Sequence, residues 1–139
     1  MLQNIFIDTN IMIDLLGERK PFYENAAEIA SLADRNKIKL FVSAVSFSTA
    51  SYVLSKYYNA ENVKDKLRKF KIISNICDLT EPIIEKGLNS KFNDFEDSLQ
   101  YFSALENDCN ILITRNVKDF KESHIPILTP DVFLKTLQQ

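Results

Sequence analysis

Apolar residues along the chain fall into two alternating rhythms. Short runs at residues 3–7, 39–42, 71–76, 111–114 and 127–128 are too brief for helices and predict strands, the first of them fully buried. Between them the apolar positions recur every three or four residues. Phe22, Ala26, Ile29, Ala30 and Ala33 predict a helix over 21–36. Ala50, Val53, Leu54 and Tyr57 predict one over 46–58, and Val63, Leu67 and Phe70 extend a helical pattern through 61–69. Thr80 ahead of Glu81-Pro82 marks another helix start. Leu99, Phe102, Ala104 and Leu105 predict a helix over 94–107, and Pro130 opens a closing helix to residue 137. Strands that alternate with helices imply crossover connections and a parallel sheet of four to five strands covered on both faces, an α/β class. Ligands of such sheets bind beyond the carboxyl ends of the strands, near the point where strand order reverses.

Composition narrows the choice of chemistry. A length of 139 residues suits one domain over 1–139, and 45% hydrophobic with 26% charged residues is ordinary for a globular chain. No apolar run reaches the roughly 20 residues that span a bilayer. Asp8 and Asp14 interrupt the most apolar stretch, 5–16, so a signal peptide is not expected and a cytoplasmic location is. Seventeen basic against nineteen acidic residues exclude a strongly basic coat for nucleic acid, though not a local basic patch. Cys77 and Cys109 lack paired metal spacing, and a lone histidine, His124, leaves little room for histidine-based zinc or triad chemistry. Only two glycines are present, so glycine-rich phosphate loops are absent.

The informative residues are acids that follow strands. Asp8 ends the run QNIFI and begins Asp8-Thr9-Asn10. Thr114, Arg115 and Asn116 follow ILI in the same way, with Asp119 three residues further on. Asp94 and Asp97 open the helix just before that strand. If the first and fourth strands are neighbours, Asp8, Asp94, Asp97, Asn116 and Asp119 converge as an oxygen-only donor set. Such a set suits Mg²⁺ or Mn²⁺, and a dication relieves the repulsion of crowded carboxylates. Near a phosphodiester it would activate water and stabilise charge on phosphoryl oxygens.

Three segments carry a resemblance: Ile5-Phe-Ile-Asp-Thr-Asn10, Asn93-Asp-Phe-Glu-Asp97 with residues 100–105, and Ile113-Thr-Arg-Asn-Val-Lys-Asp-Phe120. In order and spacing they resemble the PIN domain, in particular the PIN nucleases of VapC-type toxin–antitoxin systems. The resemblance implies a three-layer α/β/α fold, a Mg²⁺- or Mn²⁺-dependent endoribonuclease acting on RNA, a homodimer, and an antitoxin partner that blocks the site. By position, Asp8 resembles the first metal-binding aspartate, Asn10 its polar companion and Asp97 the third acid. Asn116 and Asp119 both fit the fourth acidic role, and Asp94 is an additional acid. The family places a glutamate early in the helix after the second strand. Residues 43–51 contain no acid, and Thr49 matches that position best. A PIN-fold module that binds RNA or protein with weakened catalysis is the alternative this departure raises.

Other side chains have plainer expectations. Asp14 is expected on a solvated helix face. Residues 64–71 hold five basic residues and one acid, a pattern typical of a solvated amphipathic helix. Asn10, Thr49, Thr114, Arg115 and Lys118 are the candidate substrate contacts; Arg115 and Lys118 are the ones expected to hold phosphate, and Arg19 and Lys20 are a weaker pair. Tyr52, Tyr57, Tyr58 and Tyr101 are expected in core or dimer contacts, and both cysteines as small buried hydrophobes.

Overall fold

A computed structural model describes residues 1–138. Its centre is β1 (Asn4–Ile7), whose side chains Ile5, Phe6 and Ile7 alternate between two apolar layers and are all buried. The chain continues through α1 (Thr9–Leu16), α2 (Tyr23–Asp34), β2 (Lys39–Ser43), α3 (Ala44–Leu54), α4 (Ala60–Ile73) and β3 (Ser74–Cys77). It then forms α5 (Glu81–Leu88), α6 (Phe95–Glu106), β4 (Ile111–Ile113), a 3-10 turn (Val117–Phe120), β5 (Ile127–Leu128) and α7 (Pro130–Thr136). All five strands pair in parallel in the order β3-β2-β1-β4-β5. The chain winds outward from β1 to β3, then returns to lay β4 on the other side of β1. Strand order therefore reverses between β1 and β4, and the crevice at their carboxyl ends is the expected place for a ligand.

The sheet is covered on both faces, as a parallel sheet requires. On one face Ile5, Ile7, Leu40, Val42 and Ile113 pack with Met12, Ile29, Leu54, Phe70 and Phe133 from five helices. On the other, Phe6 and Leu112 meet Tyr101 and Ala104 of α6 and Phe120 of the 3-10 turn. Helix α5 lies against α6 at Gly87, where an added Cβ would stand 2.7 Å from Ser98 Oγ. A bare backbone at that point lets the two helices approach, and this seats the start of α6.

The expected three-layer fold is present, with shifted boundaries. The largest shift lies at residues 71–73, expected in a strand. They continue α4, because Ile73 extends the stripe of Val63, Leu67 and Phe70 into the core while Ile72 projects to solvent. The strand begins only at Ser74, where its pairing with Leu40 starts. Among the tyrosines, Tyr101 is in the core and its hydroxyl accepts the His124 N–H at 2.8 Å, whereas Tyr52 and Tyr57 are exposed. No helix among the described residues is long and apolar enough to cross a membrane.

Asp14 corrects the expectation of a solvated residue. It is 0% exposed, because α1 packs that face into the interior. Arg19 Nη2 reaches Asp14 Oδ1 at 2.8 Å, and Arg115 Nε reaches Oδ2 at 3.0 Å. Arg115 also lies over the Phe22 ring, 3.9 Å from its centroid. Burial raises the Asp14 pKa, and the two guanidiniums oppose that rise. The triad ties the end of α1 to the loop after β4. Removing the acid leaves two partly exposed arginines without their shared partner, so Asp14→Ala is expected to cost about 1–3 kcal/mol in urea unfolding. Arg19→Ala, which leaves Arg115 paired, is expected to cost clearly less; equal losses would mean that the triad does not act as a unit.

Candidate active site

Asp8 stands one residue past β1, at the reversal point. Its backbone N–H donates to Ile113 O at 3.0 Å, extending the β1–β4 ladder. The residue occupies the N-cap position of α1, yet its side chain makes no capping hydrogen bond. A mere helix-capping role therefore does not account for the carboxylate. Instead Thr114 Oγ1 donates to Asp8 Oδ2 at 2.8 Å and accepts the Asn116 N–H at 3.1 Å. Asp8 is only 5% exposed, and burial pushes its pKa up; the Thr114 hydroxyl offsets part of this, while the charges of Glu96 and Asp94 add to it.

Thr114 was expected among the substrate contacts. It is fully buried, which removes it from direct contact with a bound polymer and makes it the orienting partner of Asp8. A second buried polar group starts at the residue after Asp8: Thr9 Oγ1 shares a 2.7 Å hydrogen bond with Ser46 Oγ, and Gln100 Nε2 donates to Thr9 Oγ1 at 2.7 Å. These three residues tie α1, α3 and α6 together next to the acids. Sequence patterning gave no sign of them, since each is an ordinary polar residue in an amphipathic helix. Asn10 is half-buried in the first turn of α1.

The other acids surround a cleft of about 300 Å³, lined by Asp94, Asp97 and Asp119 together with Lys91, Lys118 and Lys121. Asp94 is the N-cap of α6, its Oδ1 accepting the Asp97 N–H at 2.9 Å. Asp97, in the first turn, faces the cleft with its pKa pushed up to about 7. Burial is the largest cause; the charges of Asp8, Asp94, Asp119 and Glu96 follow. Of the two residues competing for the fourth acidic position, both exposed, Asp119 on the 3-10 turn lines the cleft and acts on Asp97, whereas Asn116 is not among its lining residues.

Two expected roles change. Arg115 spends its guanidinium on Asp14 and Phe22, which leaves Lys118 as the expected phosphate contact that lines the cleft. Lys91 and Lys121 join it there, unmarked in the sequence because they lie outside the motif segments. Thr49 donates to Glu96 Oε1 at 3.0 Å rather than facing a substrate alone. Glu96 carries no signal of this link in the sequence, where an acid in the first turn of a helix is ordinary.

The donor set fits a hard dication by chemistry. It is all oxygen, and none of the ion pairs among the described residues includes Asp8, Asp94, Glu96, Asp97 or Asp119. Elsewhere acids such as Glu24, Asp65 and Glu106 find lysine or arginine partners. No three His, Cys, Asp or Glu side chains among the described residues are gathered into a ready cage. Mg²⁺ commonly takes one or two carboxylates and keeps several waters, so it needs no such cage. Thiol chemistry does not compete: Cys77 and Cys109 are buried free thiols, with burial pushing their pKa values up to about 11 and about 12.

Known proteins resemble this chain in sequence and in fold. The chain is 27% identical over 136 residues to Ribonuclease VapC1 of Aquifex aeolicus, covering 94% of this chain and 93% of that one. Its fold is similar to a chain in the structure of VapBC2 from Rickettsia felis bound to a promoter DNA fragment, with TM-score 0.68 and 22% identity over 91% of this chain and 97% of that one. It is likewise similar to a chain of a toxin–antitoxin complex from Klebsiella pneumoniae, with TM-score 0.68, 24% identity and the same coverage of 91% and 97%. The sequence profile of the PIN domain matches residues 4–118, which include Asp8, Asp94, Asp97, Thr114 and Asn116. With its acids at the β1–β4 reversal and a sheet of this order, the chain belongs to the PIN domain family.

Proposed function

We propose that this protein is a divalent-metal-dependent endoribonuclease and the toxin of a toxin–antitoxin pair. The observation that carries the proposal is that Asp94, Asp97 and Asp119 line one cleft, that the charge of Asp8 acts on Asp97, and that among the described residues none of the four has a basic partner in ion-pair contact. The similarity to Ribonuclease VapC1 supports the substrate class, and the similarity to chains of toxin–antitoxin complexes supports an antitoxin partner. A second copy of the chain completes the proposed assembly.

Asp8 and Asp97 are the proposed ligands of Mg²⁺ or Mn²⁺, with Asp119 and Asp94 at the rim. A bound dication would supply charge neutralisation at the phosphodiester and activation of water. The chain's own groups do the rest. Thr114 fixes the Asp8 carboxylate by its hydrogen bond. Lys91, Lys118 and Lys121 offer ammonium groups on the cleft walls for RNA phosphates on either side of the scissile bond. The absence of an acid from α3 favours a second reading, a PIN-fold module that binds RNA or a protein and does not cut.

The deciding experiment is cleavage of single-stranded RNA by the full chain with Mn²⁺ or Mg²⁺, and with EDTA. Cleavage that EDTA abolishes is expected. Asp8→Asn and Asp97→Asn are each expected to lower the rate by at least about 100-fold while the far-ultraviolet circular dichroism is unchanged. RNA that is bound but left intact by the wild type with Mn²⁺ would favour the second reading.

Proton and metal compete for Asp97. In the metal-free fold it keeps its proton up to about pH 7, whereas the unfolded chain loses it near pH 4. The folded state binds the extra proton, so this group's contribution to stability is fully present below about pH 4 and is lost as the pH rises towards 7. Metal affinity runs the opposite way. Mn²⁺ binding measured by calorimetry is expected to weaken roughly tenfold per unit as pH falls below about 7, and to level off above it. Asp97→Asn is expected to flatten that dependence; an unchanged profile would assign the titration to another group.

A further inference from the structure

Arg115 stands between the two residues whose contacts orient the Asp8 carboxylate. Thr114 Oγ1 accepts the Asn116 N–H at 3.1 Å and donates to Asp8 Oδ2 at 2.8 Å. A backbone N–H can only donate, so this contact turns the single hydrogen of the hydroxyl towards the carboxylate. The sheet holds the backbone of Thr114, whose N–H donates to Leu128 O at 3.0 Å. It does not fix the side chain. Threonine has three staggered orientations, and the Asn116 N–H favours the one that faces Asp8. Asn116 lies past the end of β4 and is exposed, so the direction of its N–H depends on the turn that carries it.

That turn is anchored through the side chain of Arg115. Its Nε lies 3.0 Å from Asp14 Oδ2 and its Nη2 donates to Asp14 Oδ1 at 3.4 Å, so two nitrogens face two oxygens. Arg19 holds Asp14 from its other side, with Nε donating to Oδ1 at 2.9 Å. The Asp14 side chain is only 1% exposed, and the guanidinium of Arg115 lies over the Phe22 ring. Ion pairs shielded from water in this way are little screened by salt. Asp8 caps α1 and Asp14 lies further along the same helix. Helix α1 is therefore tied at two points to two successive residues, Thr114 and Arg115. One tie is a hydrogen bond from a rotatable hydroxyl, and the other is a buried ion pair.

We propose that Arg115 is a positioning residue of the active site: gripped by Asp14, it fixes the 114–116 turn so that the Asn116 N–H and the Thr114 hydroxyl hold the Asp8 carboxylate in one orientation. This rests on the metal-dependent reading of the site given above. Arg115 acts on Asp8 through Thr114 and does not touch the RNA.

The test combines Mn²⁺ binding by calorimetry at pH 8 without RNA and the kinetics of RNA cleavage, both on the full chain. Arg115→Met keeps an apolar stem against Phe22 and removes the guanidinium; its Mn²⁺ affinity is expected to fall about 10-fold. Its kcat is expected to fall with KM for RNA within about twofold of the wild type, because the change lies in the site and not in substrate binding. Arg115→Lys keeps the charge without the two-nitrogen grip and is expected to recover only part of the loss. Thr114→Val is expected to lose at least as much affinity as Arg115→Met, and the double variant no more than Thr114→Val, since both act along one path. Phe133→Leu, a core change in α7, controls for a general loss of stability and is expected to bind Mn²⁺ as the wild type does. Wild-type Mn²⁺ affinity in Arg115→Met, or an equal loss in Phe133→Leu, would overturn the proposal. So would losses that multiply in the double variant. A raised KM with unchanged Mn²⁺ affinity, restored by Arg115→Lys, would make Arg115 a phosphate contact instead. A wild type that neither binds Mn²⁺ nor cuts RNA overturns the metal-dependent reading and this proposal with it. If the wild type binds and Asp8→Asn does not, while Arg115→Met binds normally, only the present proposal fails.

Discussion

The parallel pairing of β1 with β4 is the constraint from which the site follows. Ile5, Phe6 and Ile7 stand in register with Ile111, Leu112 and Ile113, and the ladder continues one step further through the Asp8 N–H. That last step brings Asp8 and Thr114 side by side at the point where strand order reverses. A slip of one residue would turn every side chain of β1 to the opposite face. Phe6 would then enter the layer packed by Ile5 and Ile7, and Asp8 would lose its hydroxyl partner. Burial of apolar side chains on both faces of β1 thus sets the position of a carboxylate that is itself costly to bury.

The protein treats its buried acids in two different ways. Asp14 is compensated within the fold by Arg19 and Arg115, so its charge is accounted for before any ligand arrives. Among the described residues, Asp8, Glu96 and Asp97 receive hydroxyl or backbone contacts at most, and no guanidinium or ammonium in ion-pair contact. Burial first, and then the charges of Asp8, Asp94, Asp119 and Glu96, push the Asp97 pKa up to about 7. A site that stores repulsion in this way is poised for a cation. Lys91, Lys118 and Lys121 line the same cleft as Asp94, Asp97 and Asp119, yet among the described residues none of them pairs with these acids.

Packing holds the parts in place. Gly87 allows α5 to press on α6 at Ser98, directly after the turn that carries Asp94, Glu96 and Asp97. Thr9, Ser46 and Gln100 join three helices by hydrogen bonds that are shielded from water. Directional bonds of this kind restrict sliding between helices in a way that apolar contacts alone do not.

Local patterning was enough to reveal the strands at 4–7, 39–43 and 111–113, because each is a run of apolar residues bounded by polar ones. It also marked Asp8, Asp94, Asp97 and Asp119 as acids beside strand ends or helix starts. The limits of the third strand were not legible: Ile72 and Ile73 fit either a strand or a helix, and only packing of Ile73 with the stripe of α4 decides between them. Asp14 was misjudged because helical periodicity cannot tell which face a partner buries. Arg115 and Thr114 sat next to the right acids in the sequence, but their actual partners lie about a hundred residues away. The Thr49–Glu96 link belongs to the same class. The sequence by itself determined the alternating elements and the stock of acids, since both depend on residue type and short spacing. Which acids acquire arginines, which acquire hydroxyls and which remain crowded together was decided by the tertiary structure, because hydrogen bonds and Coulomb forces act over distances that only folding sets.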